Sequence, residues 1–375
     1  MNMNSYMPVK LYTGKGCVLA HAEEFGKLGS KPLIVTGRTS AKASGALNDV
    51  MEAVASGNAN QSAASVEGLE PYILFDEIGQ NPALTDCMRA AELAIKENCD
   101  YVIGIGGGSP LDAAKCIAVL AANPGMTQAE LYSLKWPVKP LPIVVVGTTA
   151  GTGSEVTKVS VITIPDGRKK SFHHEDVFPK VAFGDPSYTM TLSKEFTAST
   201  AIDALAHATE SYFSRNANEI SQCYAVQAIR MLKLLLGNLE KLTFEDRENL
   251  YNASIYGGLA INITGTCLPH AMGYLLTEQH GIPHGNACAI FLPAFLEINE
   301  REVPRMVQRF FASIGWGRTS FLQAINHLLT DVHVEISEEE IAREHSRWIG
   351  NGSIAKGWGQ VSADECDEIL RRVRD

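Results

Sequence analysis

Asp203 and His207 stand four residues apart in the stretch Ala201 to His207, so on a helix they share one face, one turn above the other. The residues around them (Ala201, Ala204, Leu205, Ala206, Ala208) favour helix, and Thr197, Ser199 or Thr200 is expected to cap its start. A carboxylate and an imidazole aimed the same way grip a divalent metal, although such a pair often does no more than stabilise its helix. The metal reading therefore depends on partners downstream. His270 and His284 supply them, on either side of a break at Gly281 and Pro283. His270 is expected on a helix, and His284 in the turn or helix start that follows. Three imidazoles and one carboxylate, with no thiolate nearby, suit Fe(II) or Zn(II) rather than Mg or Ca.

Those four residues need a scaffold, and the chain is long enough for two domains at 375 residues. Hydrophobic content of 45% fits a well-packed globular protein, and a formal charge of −10 argues against nucleic acid as a partner. The eight cysteines are scattered without a C-x-x-C pair, as in a reducing, cytoplasmic setting. No signal-peptide pattern opens the chain, and no apolar run approaches the roughly 20 residues that span a bilayer.

In the first half, residues 32–36, 72–75, 101–105 and 142–147 are apolar or β-branched runs bounded by glycine, proline or polar residues. They alternate with helical spacing over 82–97 and 111–122. This order predicts a parallel sheet covered on both faces. Residues 55–65, small, polar and uncharged, read as an exposed connection without chemistry. Residues 181–185 form the last strand-like run. Beyond them helical patterns dominate, over 220–239, 247–263, 303–314, 338–349 and 363–374. The expected domains are therefore 1–185, α/β and dinucleotide-binding, and 186–375, helical and metal-binding.

Three loops at strand ends look fit to hold a dinucleotide. Gly104 to Lys115 follows a strand and opens a helix, so that glycines and free amides meet a phosphate. Ser109 is placed to cap that helix, and Asp112 is expected in its first turn. Gly147 to Glu155, which includes Thr148, Thr149 and Thr152, adds hydroxyls at the end of the next strand. The third loop bears on cofactor type. Gly37 stands where an NAD-binding strand end usually presents an acid, and Arg38, Thr39, Ser40 and Lys42 suit a 2′-phosphate.

Gly106-Gly-Gly-Ser-Pro-Leu-Asp-Ala-Ala-Lys115, Thr148-Thr-Ala-Gly-Thr-Gly-Ser-Glu155, Asp203-x-x-x-His207, and His270 with His284 come in an order that resembles the iron-containing (group III) alcohol dehydrogenases over nearly the whole chain. The resemblance implies the fold shared with dehydroquinate synthase: an α/β N-terminal dinucleotide-binding domain plus an all-helical C-terminal domain. It implies metal ligands at Asp203, His207, His270 and His284, and cofactor contacts at Asn81, Gly107, Gly108, Ser109, Thr148, Thr149 and Lys169. With Gly at residue 37, the chain looks like the NADP-using subgroup. Many members carry a further pocket histidine four residues after the third ligand, and Tyr274 stands there instead, bulkier and less basic.

The implied activity is reversible hydride transfer between a primary alcohol or diol and its aldehyde, with Fe(2+), or Zn(2+), holding the alcohol as alkoxide and no protein base assigned. The implied assembly is a homodimer, with no nucleic-acid or membrane partner. A zinc-dependent polyol (glycerol-type) dehydrogenase is the nearest alternative. A dehydroquinate synthase-like lyase would need a basic phosphate pocket near His270 to His284, and none is evident. A binding or scaffold protein on this fold would not need the intact ligand set.

Overall fold

Runs such as Ile143–Gly147 are buried at every position, so they belong in a sheet covered on both sides. The computed structural model, which describes residues 3–58, 71–237 and 239–374, builds that sheet. The strands in chain order are β1 (Lys10–Thr13), β2 (Pro32–Thr36), β3 (Ile73–Phe75), β4 (Tyr101–Gly106), β5 (Ile143–Gly147), β6 (Val159–Thr163), β7 (Lys169–His173) and β8 (Val181–Gly184). Six of them form one parallel sheet in the order β1-β8-β5-β4-β2-β3. β6 and β7 pair separately as an antiparallel hairpin.

Side-chain alternation feeds two cores from the same strands. Leu33, Val35, Val102, Ile143 and Val145 pack on one side, with the helices Leu84–Lys96 and Gly108–Ala122. Ile34, Ile103, Ile105, Val144 and Val146 pack on the other, with the helix Ala46–Asn58. Each wholly buried Val or Ile contributes about 1.5–3 kcal/mol, which makes these central strands the firmest part of this unit. The strand order turns back between β2 and β4, and ligands of open α/β sheets bind beyond the strand ends at such a point. Gly37 and the Gly106–Gly108 run follow those two strands.

By packing, Met7–Thr149 with Ser154–Leu192 form the α/β unit, and Met1–Tyr6, Ala150–Gly153 and Ser193–Asp375 form the helical one. In the helical unit the helix Lys194–Phe213 starts earlier than expected. Ser193 caps it by accepting from the Phe196 amide, so Thr197, Ser199 and Thr200 lie inside the helix. The helices Glu219–Leu235, Phe244–Thr264, Leu268–His280 and His284–Ala289 follow. The architecture is the expected one, an α/β N-terminal domain and a helical C-terminal domain. Among the described residues no helix is long and apolar enough to cross a membrane.

Three elements differ from the sequence expectation. β1 and the β6–β7 hairpin carry too many polar residues to read as buried strands, with Lys10, Lys169 and Lys170 among them. Residues 55–58 are the end of a helix rather than a connection, and the rest of the 55–65 stretch lies outside the described residues.

Candidate metal centre and cofactor loops

The helix Lys194–Phe213 carries Asp203 and His207 on one buried face, 3% and 5% exposed. The helix Leu268–His280 brings His270 to the same face and ends at Gly281, which takes the left-handed conformation at φ 65°. Pro283 then sets the start of the helix His284–Ala289, so His284 is its first residue. That short helix approaches Asp203 closely. A Cβ on Gly285 would fall 1.8 Å from the Ser199 carbonyl oxygen, so only glycine fits there.

Ligand atoms of Asp203, His270 and His284 come within 4.8 Å of one another, together with that of Cys288. His207 stands beside this group. Its ring stacks on His270 at 4.5 Å, and its Nε2 is 3.9 Å from Asp203 Oδ1. The thiol corrects the expectation of a sulfur-free site. Cys288 is one helical turn after His284, and its Sγ lies 3.8 Å from both ring nitrogens of that residue.

The electrostatics suit a bound cation. Burial alone would push the Asp203 carboxyl up, but the imidazoles of His207, His270 and His284 overcome it and hold it well below the usual carboxylate range. Burial drives the His207 ring toward its neutral form and pushes the Cys288 thiol up to about 11. Among the described residues, Asp203 Oδ1 and His270 Nε2 are buried without a hydrogen-bond partner, facing each other at 3.4 Å. Unpaired buried groups of this kind are costly, and a bound cation removes the cost.

Glu210 was not anticipated. It lies seven residues after Asp203 on the same helix, is fully buried, and its Oε2 meets His270 Nδ1 in a short contact. Its Oε1 accepts from the backbone amides of Cys267 and His270, at 2.8 and 3.2 Å. A carboxylate holding Nδ1–H leaves the Nε2 lone pair free for a metal, and the Gly151 carbonyl, 3.3 Å from His207 Nδ1, does the same for that ring. The spacing Asp203, His207, Glu210 runs along one helical face, a signal readable in the sequence. Glu210→Gln is expected to keep the fold, because an amide oxygen still accepts the two backbone bonds. It should weaken metal affinity about 10–100-fold. Chelator competition checks this, and unchanged affinity would remove Glu210 from the site.

Tyr274 stacks on His284 with ring centroids 5.5 Å apart and is half-buried. A phenol, whose ordinary pKa is about 10, is a poor base at neutral pH, so Tyr274→Phe should change turnover only a few-fold. A loss of about a hundredfold with metal content intact would mean that the hydroxyl moves a proton. His280 Nε2 pairs with Glu340 Oε1 at 2.7 Å. His173 lies on β7 and His174 caps a 3-10 turn.

In the α/β unit the expected loop residues gather unevenly. Asn81 takes a left-handed backbone (φ 58°), and its amide donates to Ser109 Oγ at 3.2 Å. Ser109 therefore receives Asn81 instead of capping its helix, which begins at Gly108 with Gly107 at the cap position. Thr148 Oγ1 is buried with no hydrogen-bond partner among the described residues, and Thr149 is buried beside it. Asp112 lies beyond the first helical turn. Its carboxylate accepts from Ser154 Oγ at 2.6 Å and the Val161 amide at 2.9 Å, so it ties down the loop. Lys169 opens β7, and Thr152 packs with the helical unit.

Thr39 precedes and Ser40 begins a one-turn helix after Gly37. Lys42 is not a free cation there, because its Nζ lies 2.5 Å from Asp76 Oδ2. The β2–β3 register, with Val35 opposite Phe75, brings Asp76 level with that turn.

Residues 8–186 match the iron-containing alcohol dehydrogenase family, and residues 197–357 match the C-terminal part of the Fe-containing alcohol dehydrogenase family. The crystal structure of an iron-containing alcohol dehydrogenase from Thermotoga maritima superposes with a TM-score of 0.88 at 33% identity, over 99% of both chains. The chain belongs to the iron-containing alcohol dehydrogenase family. Among relatives of this dehydrogenase family, the probable alcohol dehydrogenase EutG of Escherichia coli is 39% identical over 67% of this chain. Alcohol dehydrogenase 4 of Schizosaccharomyces pombe is 34% identical over 79% of it. These matches span 63% and 68% of the two relatives' own lengths.

Proposed function

We propose that the chain is a metal-dependent, NADP(H)-using alcohol dehydrogenase that interconverts a primary alcohol or diol and its aldehyde. The observation that carries the reading is the pair Asp203 Oδ1 and His270 Nε2. Among the described residues both are buried without a hydrogen-bond partner, and they share a cluster with His284. Asp203, His207, His270 and His284 would hold Fe(II) or Zn(II), both of which accept this donor set. When bound, the metal supplies Lewis acidity toward an alcohol or carbonyl oxygen, and the nicotinamide supplies the two-electron step.

The chain's own residues bind and orient. Glu210 and the Gly151 carbonyl fix the proton at Nδ1 of His270 and His207. Tyr274 packs on His284 and shapes the pocket rather than serving as a base. The helix start at Gly107 and Gly108, the Asn81–Ser109 pair, the Thr148 hydroxyl, Thr149 and Lys169 would receive the cofactor's phosphates and nicotinamide half. Gly37, Arg38, Thr39 and Ser40 would accept the 2′-phosphate. Lys42 adds little there, because it is held by Asp76. The resemblance supports a homodimer, and eight free cysteines suit a reducing cytoplasm.

The test is NADPH oxidation with a panel of short linear and diol-derived aldehydes, before and after chelation and again after adding Fe(II) or Zn(II). Turnover that disappears with the metal and returns with it supports the reading. No turnover by the metal-loaded protein across the panel would overturn it.

A further inference from the structure

The C-terminal helix Ala363–Val373 carries Asp364 and Asp367 at positions i and i+3, so both carboxylates stand on one face. His345 meets that face from the 3-10 turn His345–Arg347, which follows the helix Glu338–Glu344. One ring nitrogen of His345 and one carboxylate oxygen each of Asp364 and Asp367 lie within 4.8 Å of one another. None of the three belongs to the Asp203, His207, His270 and His284 set. A second observation points to a ligand. Asp367 is 7% exposed; its Oδ2 accepts from His345 Nδ1 at 2.6 Å, and its Oδ1 is buried without a hydrogen-bond partner among the described residues. An orphaned buried carboxylate oxygen is costly, and a cation in the cluster removes the cost. Charge points the same way. The arginines of these elements are taken up by other carboxylates, Arg371 by Glu338 and Glu368, and Arg347 by Glu278 and Glu344. Among the described residues no Lys or Arg forms an ion pair with Asp364 or Asp367, which leaves two carboxylates facing one imidazole.

We propose that His345, Asp364 and Asp367 form a second divalent-metal site, which takes a borderline ion such as Zn(II) and clips the C-terminal helix to the turn before it. An imidazole with two carboxylates suits Zn(II), Cu(II) or Ni(II) better than Mg(II) or Ca(II), whose sites are built from oxygen. The carboxylates neutralise a dication, and the neutral imidazole adds the third donor. As the ion binds, the proton that His345 shares with Asp367 leaves to solvent and no electrons are transferred. Asp364 is exposed, so water completes a four-coordinate shell and the ion exchanges with solvent. The site is therefore weaker than the buried cluster, and it fills when zinc is added.

The test dialyses the full-length protein to equilibrium against micromolar free zinc and counts bound zinc by elemental analysis, for wild type, His345→Gln and Asp364→Asn. Wild type should hold about one zinc per chain more than either variant, and zinc should raise its unfolding temperature further than theirs. Asp364 is at the surface, so its variant should keep the fold, which circular dichroism checks. Aldehyde turnover at fixed metal loading should be the same in all three. A zinc count in either variant equal to that of wild type would overturn the three-residue site. The difference is read separately from the catalytic metal. If the difference stands but no ion is common to all three proteins, the metal reading of Asp203, His207, His270 and His284 fails and this site remains.

Discussion

His270→Ala is expected to leave a folded protein that has lost most of its metal and about a hundredfold or more of its kcat/KM. The imidazole is 2% exposed and lies between two carboxylates, Asp203 on its Nε2 side and Glu210 on its Nδ1 side. Removing it takes away a ligand and the group that Glu210 orients, a larger loss than the 10–100-fold typical of an outer partner alone. Glu210 keeps the amides of residues 267 and 270, which is why the helix start should survive. His284→Ala is the companion variant, at a half-buried helix end where the folding cost is smaller. Metal analysis, circular dichroism and kcat/KM on both variants check this. Either variant with full metal content and wild-type turnover would break the four-ligand assignment.

Gly37→Asp should reverse the cofactor preference, lowering kcat/KM for NADPH relative to NADH by about tenfold or more. Charge-assisted hydrogen bonds to a 2′-phosphate contribute roughly 1.5–3 kcal/mol each, so losing one or two to repulsion is enough. The new carboxylate could instead accept the 2′-hydroxyl of NAD. A Cβ at residue 37 would meet the Ile78 carbonyl oxygen at 3.2 Å, so that carbonyl must give way by a few tenths of an ångström. Asp76 is paired with Lys42, which leaves Arg38 and residue 37 to set the charge of this turn. The measurement is kcat/KM for both cofactors with one aldehyde. A wild type that prefers NADH, or a variant whose ratio does not move, would contradict the assignment.

Much of the fold was legible because β2, β3, β4, β5 and β8 contain runs of apolar, mostly β-branched residues, the mark of strands buried on both faces. The short edge strand β1 and the lysine-bearing β7 lack that mark. The metal residues were legible from helical spacing and from the Gly281–Pro283 break. Glu210 and Cys288 obey the same spacing and were missed because a lone acid on a helix usually faces water and a lone buried thiol usually only packs. Lys42 and Ser109 had the right chemistry for a cofactor. Their partners Asp76 and Asn81, distant in sequence, come beside them only through strand register and a left-handed turn. Local pattern cannot show such pairings.

The central claim is that the buried cluster at Asp203, His270 and His284 holds a catalytic divalent metal. Elemental analysis of anaerobically purified wild-type protein tests it most directly, with aldehyde turnover assayed on the same sample. The account predicts about one Fe or Zn per chain, removed together with activity by a chelator and restored by adding it back. Full turnover by protein that contains no transition metal would contradict it.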